Sequence, residues 1–451
     1  MKKVMFNINR HLAGLFFVLA ILNSHANAQE VHEISRDQAV DYALTHNPTI
    51  LNTALDVESA EAFVKENISS GLPQVSASID LSDNFELPTT FLPAEVLGGT
   101  PGEEIPVQFG TNYSGNATVG LTQMVFDGVF FIGLEAARTF EQLSKKDHIK
   151  SKIDLAETVT TAYYNVLVNQ LTLQLVEKNY GRLDTLLRET EIMYKNGFAE
   201  KIDVNRVKVQ FNNIRVNRDN SRKMLDIAEK LLKFQMGMAV DDSVVLTDNL
   251  NNEIFDENFS EDFSYSNRIE YSILETQHKL AQLDIKRTKV EYLPKLDLYA
   301  NLGALAGTNQ FSDVFDISNQ WFKFGVVGVR MNIPIFDGMQ KSNLIQQKKA
   351  KLIQVEHSFD QLKNSIDLEL NRAKVSYDNS VDYMHVQEEN MNLAEEVYEV
   401  TKTKYQQGIG SNIEVINADA DFKQAQTNYF TALYDALIAK VAYKKALGTL
   451  L

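Results

Sequence analysis

The chain has 451 residues, no cysteine and a formal net charge of −16 at pH 7. The absence of cysteine excludes a disulfide framework, a thiolate metal site and a cysteine nucleophile, and also an anchor that needs a lipidated N-terminal cysteine. The acidic charge makes nucleic acid an unsuitable partner, because a binding protein must neutralise phosphates with lysine and arginine.

Residues 1–28 are predicted to be a signal peptide. Three basic residues precede an apolar run from Leu12 to Leu22, and Ala26-Asn27-Ala28 supplies the small residues of a cleavage site. The apolar run is too short to span a bilayer. The mature chain is therefore expected to begin at Gln29, and a short membrane anchor is the alternative.

Two helical patterns follow, and the second of them recurs in the second half of the chain. Residues 34–44 have apolar side chains at helical spacing with Ser35 as N-cap, and a stop at Asn47-Pro48. Residues 50–68 form the second pattern, which ends before Leu72-Pro73; its copy at 269–292 ends before Leu293-Pro294. Each Leu-Pro pair marks a change from helix to strand.

After each Leu-Pro pair the apolar spacing changes to two, which predicts strands at 74–85, 112–125, 295–306 and 321–335. Alternating strands of about ten residues with flanking aromatics are typical of an outer-membrane β-barrel, and a half-buried soluble sheet is the alternative. The side chains predicted to face lipid are Ala77, Ile79, Ala117, Val119, Leu121, Leu298, Ala300 and Val327.

Two connecting segments have different compositions. Residues 86–110 contain four of the eight prolines and Gly98-Gly99, so they are predicted to be a loop. Residues 239–266 are acidic and lack lysine and arginine, which indicates a solvated linker between two repeats. Within the linker, Ser243-Val244-Val245-Leu246 suits a short strand or packing around the middle of the molecule.

The spacing of glycines shows an internal duplication. Gly128 and Gly197 are 69 positions apart, and Gly338 and Gly408 are 70 apart; a further 40 positions lead to Gly237 in one copy and to a matching glycine in the other. The arms between these glycines have helical patterns. The longer, outbound arm of each copy would extend roughly 100 Å as a continuous helix. We predict a first repeat at 29–238 with a helical hairpin at 128–238, and a second repeat at 267–451 with a hairpin at 338–448.

Four strands cannot close a barrel, and an open sheet edge leaves backbone groups unpaired in hydrocarbon. Several copies must therefore contribute strands, giving totals of 8, 12 or 16. Eight strands leave an interior filled by side chains, so a conduit needs at least three copies.

With these features the chain resembles the outer membrane efflux proteins, the TolC family of trimeric channel-tunnels. The order, duplication and spacing of the matching motifs carry the resemblance over essentially the whole mature sequence. The motifs are Asp41-Tyr42-Ala43-Leu44 with Asn47-Pro48, Leu72-Pro73, Leu293-Pro294, Phe126-Asp127-Gly128, Ile333-Pro334-Ile335-Phe336-Asp337-Gly338, Thr161-Ala162-Tyr163-Tyr164, Tyr194 to Gly197 with Asp203-Val204, Tyr405 to Gly408 with Glu414-Val415, and Ala446-Leu447-Gly448.

The resemblance implies a mainly α fold with membrane β structure: duplicated helical hairpins forming a periplasmic α-barrel, and four strands per protomer completing a trimeric 12-stranded β-barrel in the outer membrane. It implies a homotrimer surrounded by outer-membrane lipid, working with a periplasmic adaptor (membrane fusion) protein and an inner-membrane efflux pump or ABC exporter. The function would be export of small toxic compounds, or of proteins by type I secretion, without cofactor, metal or catalysis.

The resemblance also suggests roles for the two helical turns. It places adaptor docking at the turns Gly197-Phe198-Ala199 and Gly408-Ile409-Gly410, and closure of the tunnel beside them. The family usually has two acids three positions apart at the gate, where this chain has Glu414 and Asn417, so one acidic ring is expected instead of two.

A latch is the second gate feature that we predict. Asp203 occupies the position in the first hairpin that matches Glu414, and we expect it to accept a hydrogen bond from Tyr405 of a neighbouring hairpin. A basic residue common in the family is replaced by Gly410, so this gate is expected to open more readily.

Two other classes of protein fit the sequence less well. An enzyme is disfavoured because no metal pair of histidines, phosphate loop or nucleophile motif is found. A structural periplasmic coiled-coil or adhesive envelope protein would explain the hairpins but has no use for an amphipathic strand pair in each repeat.

Overall fold

The computed structural model describes residues 32–250, 255, 263–318 and 321–451. The predicted signal peptide and much of the linker at 239–266 lie outside these residues. The helices are α1 Arg36–His46, α2 Pro48–Ser69, α3 Gly128–Lys195, α4 Lys201–Met236, α5 Ile269–Val290, α6 Gln340–Gln406 and α7 Asn412–Leu447, and the strands are β1 His32–Ile34, β2 Gln74–Asp83, β3 Thr89–Pro93, β4 Glu104–Gln108, β5 Tyr113–Phe126, β6 Val244–Leu246, β7 Lys295–Thr308 and β8 Trp321–Asn332.

The elements divide into two compact units. The helical unit is formed by residues within 1–52, 150–268 and 365–451, and the sheet unit by residues within 53–149 and 269–364. Among the described residues no helix combines the length and apolar content that a membrane span requires.

The duplication seen in the sequence is present in the helices. The outbound helices α3 and α6 have 68 and 67 residues, and the returning helices α4 and α7 have 36 each. A left-handed glycine ends each returning helix, where a Cβ would be strained: Gly237 has φ 78° and Gly448 has φ 77°. The two repeats therefore fold to the same pattern despite their different side chains.

The second hairpin begins two residues later than its predicted bound at 338. Gly338 and Met339 have φ values of 64° and 65°, so neither can belong to a right-handed helix, and α6 begins at Gln340. In the first repeat Gly128 is already helical and α3 begins there.

The sheet unit contains a four-stranded antiparallel sheet in the order β2-β5-β7-β8. The central pair β5 and β7 joins the two repeats, with a bulge between Met124 and Phe126. Gly303 lies where β7 passes close to β5, since a Cβ on it would be 2.5 Å from the carbonyl oxygen of Ala117. Only glycine fits this close approach of two backbones.

The strand register separates an apolar from a polar face. Val119 on β5 lies opposite Ala77 on β2 and Leu302 on β7, whereas the neighbouring Thr118 lies opposite Ser78 and Gly303. Because alternate residues share a face, all eight side chains predicted to face lipid lie on the apolar side. Ile79 and Val327, at 74% and 73% exposure, have no protein covering them within the described chain.

The prediction that residues 86–110 form a loop is wrong. Strands β3 and β4 pair antiparallel in a separate two-stranded sheet, with Phe91 opposite Pro106. Proline lacks a backbone donor, but an outer strand does not need every donor, so Pro93 and Pro106 are tolerated here.

The helical unit has a core where the first and last segments of the chain meet. The largest fully buried side chains include Tyr163 and Tyr164 on α3 and Leu437 on α7. Ser35 caps α1 as predicted, accepting a hydrogen bond from the Gln38 N–H. The linker residues Val244–Leu246 form the short strand β6, which pairs parallel with β1.

Candidate functional site

The two hairpin turns present the same geometry. Gly197 and Gly408 have φ values of 79° and 75°, with open space around each position that a Cβ would occupy. The residues after them, Phe198 and Ile409, are 80% and 77% exposed. Each turn therefore offers one large apolar side chain to a partner, while its glycine is explained by chain reversal alone.

Asp203 and Glu414 occupy equivalent positions, as the sequence predicted. Each is the third residue of a returning helix, α4 or α7. Asp203 accepts a hydrogen bond from the Glu200 N–H at 3.2 Å and lies 3.6 Å from Arg206. The Glu414 N–H donates to the Ser411 hydroxyl, which caps α7. An acidic side chain in the first turn is favourable in both helices because it faces the positive end of the helix dipole.

Glu414 and Asn417 are both exposed on the free face of α7, whereas the residues that directly follow them, Val415 and Ala418, are buried. The free side of the helix therefore carries the acid and the amide for which the resemblance predicts a role at the gate. These side chains are available to line a tunnel formed by several copies.

A single chain does not bring Tyr405 to Asp203. The Tyr405 side chain is buried at 8% exposure, and its hydroxyl accepts a hydrogen bond from the Asn412 amide at 3.4 Å. A tyrosine hydroxyl can also donate one hydrogen bond, and no atom of the described residues accepts it. The predicted latch between hairpins remains a prediction, with the Tyr405 hydrogen still available for it.

Sequence reasoning missed a buried polar cluster that joins α3 to α7. Arg182 on α3 lies 3.2 Å from Asp419 on α7, and Asp419 also pairs with Lys423 at 2.5 Å. Asn179 accepts from Arg182 at 2.7 Å and donates to Gln426 at 3.0 Å. Polar side chains buried in a helix bundle fix the alignment of the helices, because a shifted arrangement leaves them unpaired.

Aromatic rings enclose this cluster. The Arg182 guanidinium lies 4.4 Å from the centre of the Tyr398 ring and 5.1 Å from that of Phe422, which stabilises the cation. Burial raises the pKa of Tyr398 to about 12, although Arg182 acts in the opposite direction. Within the described chain, Arg182 Nε and Asp419 Oδ1 lack hydrogen-bond partners, so the ion pair is only partly satisfied.

The described residues contain no group of three or more histidine, aspartate or glutamate side chains that could hold a metal ion.

Comparison with known proteins agrees with this geometry. A model of the outer membrane efflux protein family matches residues 39–238 and 271–449, and the two matched segments correspond to the two repeats. The outer membrane protein TolC of Vibrio cholerae is 19% identical over 437 residues, covering 96% of this chain and 94% of that protein.

A secretion protein and a solved channel are also similar. The alkaline protease secretion protein AprF of Pseudomonas aeruginosa is 20% identical, over 72% of this chain and 67% of its own. The open state of the Neisseria gonorrhoeae MtrE outer membrane channel superimposes with a TM-score of 0.72 at 15% identity, over 92% of this chain and 89% of that one. The chain therefore belongs to the outer membrane efflux protein family and is an outer-membrane channel-tunnel for efflux or secretion.

Proposed function

We propose that three copies of the chain form one conduit, in which a 12-stranded barrel crosses the outer membrane and the helical hairpins continue it through the periplasm. The observation that supports this is the open sheet: β2 and β8 are its edges and pair with no further strand among the described residues. Successive strands are antiparallel, so β2 and β8 run in opposite directions, and β8 of one copy can pair antiparallel with β2 of the next. Closure removes both edges.

The proposal extends to the partners. A periplasmic adaptor docks on the turns at Gly197-Phe198-Ala199 and Gly408-Ile409-Gly410, and an inner-membrane efflux pump or ABC exporter supplies the exported compounds or proteins. The exposed Phe198 and Ile409 support this surface, because isolated large apolar side chains at a tip are suited to pockets on another protein.

Extraction and reconstitution test the conduit. The membrane-bound protein is expected to leave envelope membranes only with detergent, to have the mass of a trimer, and to give stepwise conductance in a planar bilayer. Release by salt as a monomer without conductance would instead support a periplasmic rod.

Co-purification from the detergent extract, compared with a variant carrying Phe198→Ser and Ile409→Ser, tests whether the turns bind the adaptor.

Replacing Glu414 is expected to change ion selectivity. In a symmetric trimer one exposed acid per chain gives a ring of three negative charges, which concentrates cations at a constriction. Glu414→Gln should lower the preference for cations, measured as the reversal potential in a salt gradient across a planar bilayer. Glu414→Asp keeps the charge and serves as the control, and Asn417→Asp should raise the preference by adding a second ring. Equal reversal potentials in all four proteins would remove the acidic ring.

Breaking the latch is expected to open the gate. A hydrogen bond to a charged group contributes about 1.5–3 kcal/mol, and a trimer would have three between Tyr405 and Asp203. Single-channel conductance should rise in Tyr405→Phe and in Asp203→Ala, and the double variant should be little higher than either. Asn412→Ala is the control for the contact that Tyr405 makes within its own chain. If Tyr405→Phe and Asn412→Ala both change the conductance while Asp203→Ala leaves it unchanged, Tyr405 acts inside its own hairpin and there is no latch between hairpins.

A further inference from the structure

The free face of α4 carries a basic series next to an apolar one. From the start of α4, four exposed basic residues follow one another at intervals of seven. An exposed aliphatic residue comes directly after each of the first three. Seven residues advance about 10.5 Å along a helix and return to nearly the same face. The basic series is Lys201, Lys208, Arg215 and Arg222, and the aliphatic series is Ile202, Val209 and Val216.

The free face of α6 carries the opposite charge. Acids and aliphatic residues alternate at spacings of four and three, which places them along one stripe of the helix. The whole stretch from 378 to 401 contains no lysine or arginine. The acidic series is Asp382, Glu389 and Glu396, and the aliphatic series is Val386, Leu393 and Val400, all of them exposed.

Four of these charged side chains are not used inside the chain. Across the described residues, the side chains of Lys208, Arg215, Glu389 and Glu396 take part in no hydrogen bond or ion pair, whereas Arg222 pairs with Glu177 on α3. Val209 is 57% exposed and Leu393 is 53% exposed. The unpaired charges on α4 and α6 are thus available to a partner, and so are the aliphatic residues beside them.

The two series match in spacing and in level. Helix α4 leads away from its turn and α6 leads towards its own, so the helices run in opposite directions along the hairpins. The distance of each residue from its turn can be counted from Lys201, the first residue of α4, and from Gln406, the last residue of α6. On this count Glu396 lies three residues, about 4.5 Å, further from its turn than Lys208 does, and Glu389 lies three residues further than Arg215. Long basic and acidic side chains can reach across such a difference.

We propose that the basic stripe of α4 in one copy packs on the acidic stripe of α6 in the next copy. The inference rests on the proposed trimer and identifies its helical interface. Charge complementarity favours a second copy as the occupant, because each chain carries both halves of the match at equal spacing. Such a contact is head-to-tail, so each copy binds one neighbour by α4 and the other by α6, and the ring closes by rotation. Aliphatic side chains supply the buried surface, and the charges determine the alignment.

Cysteine cross-linking in the full-length protein in detergent tests the pairing, because the chain has no cysteine of its own. A short bismaleimide should convert the double variant Arg215→Cys with Glu389→Cys into a covalent trimer on a denaturing gel. Each single variant should stay monomeric on the gel, since the two residues lie on different sides of the interface. Lys178→Cys with Glu389→Cys is the control, because Lys178 is exposed on α3 and outside the stripe.

Charge reversal gives an independent readout. Lys208→Glu with Arg215→Glu should reduce the yield of trimer, Glu389→Lys with Glu396→Lys should do the same, and all four changes together should restore it. Lys178→Glu with Lys195→Glu alters the net charge equally on α3 and should leave the trimer intact. A wild-type protein that is not trimeric would defeat the proposed function itself. A trimer that neither cross-links nor responds to reversal would overturn only this interface.

Discussion

Asp419→Ala is expected to destabilise the helical unit by about 3 kcal/mol, the lower end of the range for removing one partner of a buried ion pair. The Asp419 side chain is 5% exposed and Arg182 is 19% exposed, so removal of the carboxylate leaves a mostly buried guanidinium without its counter-charge. The cost lies at the lower end because Arg182 retains some contact with water and keeps its hydrogen bond to Asn179. The temperature at which the helical circular dichroism signal is lost should fall accordingly.

Two further variants distinguish the loss of the buried ion pair from the effect of any substitution on the same helix. Asp421→Ala removes an exposed acid from the same helix two residues away, and a surface change of this kind is expected to stay within about 0.5 kcal/mol. Arg182→Met with Asp419→Leu replaces the pair by apolar side chains, which is often neutral, so it should recover most of the lost stability. If Asp419→Ala melts at the same temperature as Asp421→Ala, the ion pair does not stabilise the unit.

Val119→Lys is expected to cost about 2–4 kcal/mol and to lower the yield of trimer, because it places a charge on the lipid-facing side near the middle of a barrel strand. Val119 is 51% exposed on the apolar face of the sheet and lies between Ala77 and Leu302 on the adjacent strands. The fraction of trimer that survives mild heating before electrophoresis measures the effect.

Thr118→Lys is the matched control, since Thr118 precedes Val119 on the same strand and points to the polar face. Its neighbours across the sheet are Ser78 and Gly303, and its hydroxyl donates to the side chain of Asn116 at 2.9 Å. A lysine there can extend into water. Equal losses of trimer in the two variants would show that the apolar face does not meet lipid.

The features that could be predicted from the sequence are those fixed by local spacing. The glycines at 197 and 408 mark the chain reversals, because only a residue tolerant of positive φ suits that position. Their separation in sequence from the other repeated glycines predicts the lengths of the helices. Alternation in β2 and β5 gave the face of each side chain, because the period of a strand is two. Neither inference needs knowledge of what lies across the fold.

Features that depend on distant partners could not be predicted in this way. Asp419 lies on a polar helix, where acidic side chains normally form a solvated face, yet it is buried beside Arg182, which comes more than two hundred residues earlier in the chain. The hairpin of β3 and β4 could not be predicted because its prolines indicate a loop. Proline is compatible with a strand only at an unpaired edge, and the sequence alone does not show which edges are unpaired. Tyr405 was identified as a gate residue from its motif, and its burial against Asn412 follows from packing within the hairpin.

The pairing of β1 with β6 has a consequence for the order of folding. The Arg36 N–H donates to the Asp248 carboxylate at 2.8 Å across a sequence separation of 212 residues, beside the parallel pair of His32 with Val244. A contact of such long range forms slowly, because a large loop must close before any pairing energy is gained. The N-terminal segment can therefore find its partner only once the chain beyond the entire first repeat is available for pairing. Protection of the β1 amides from hydrogen exchange would then mark the moment at which that repeat is complete.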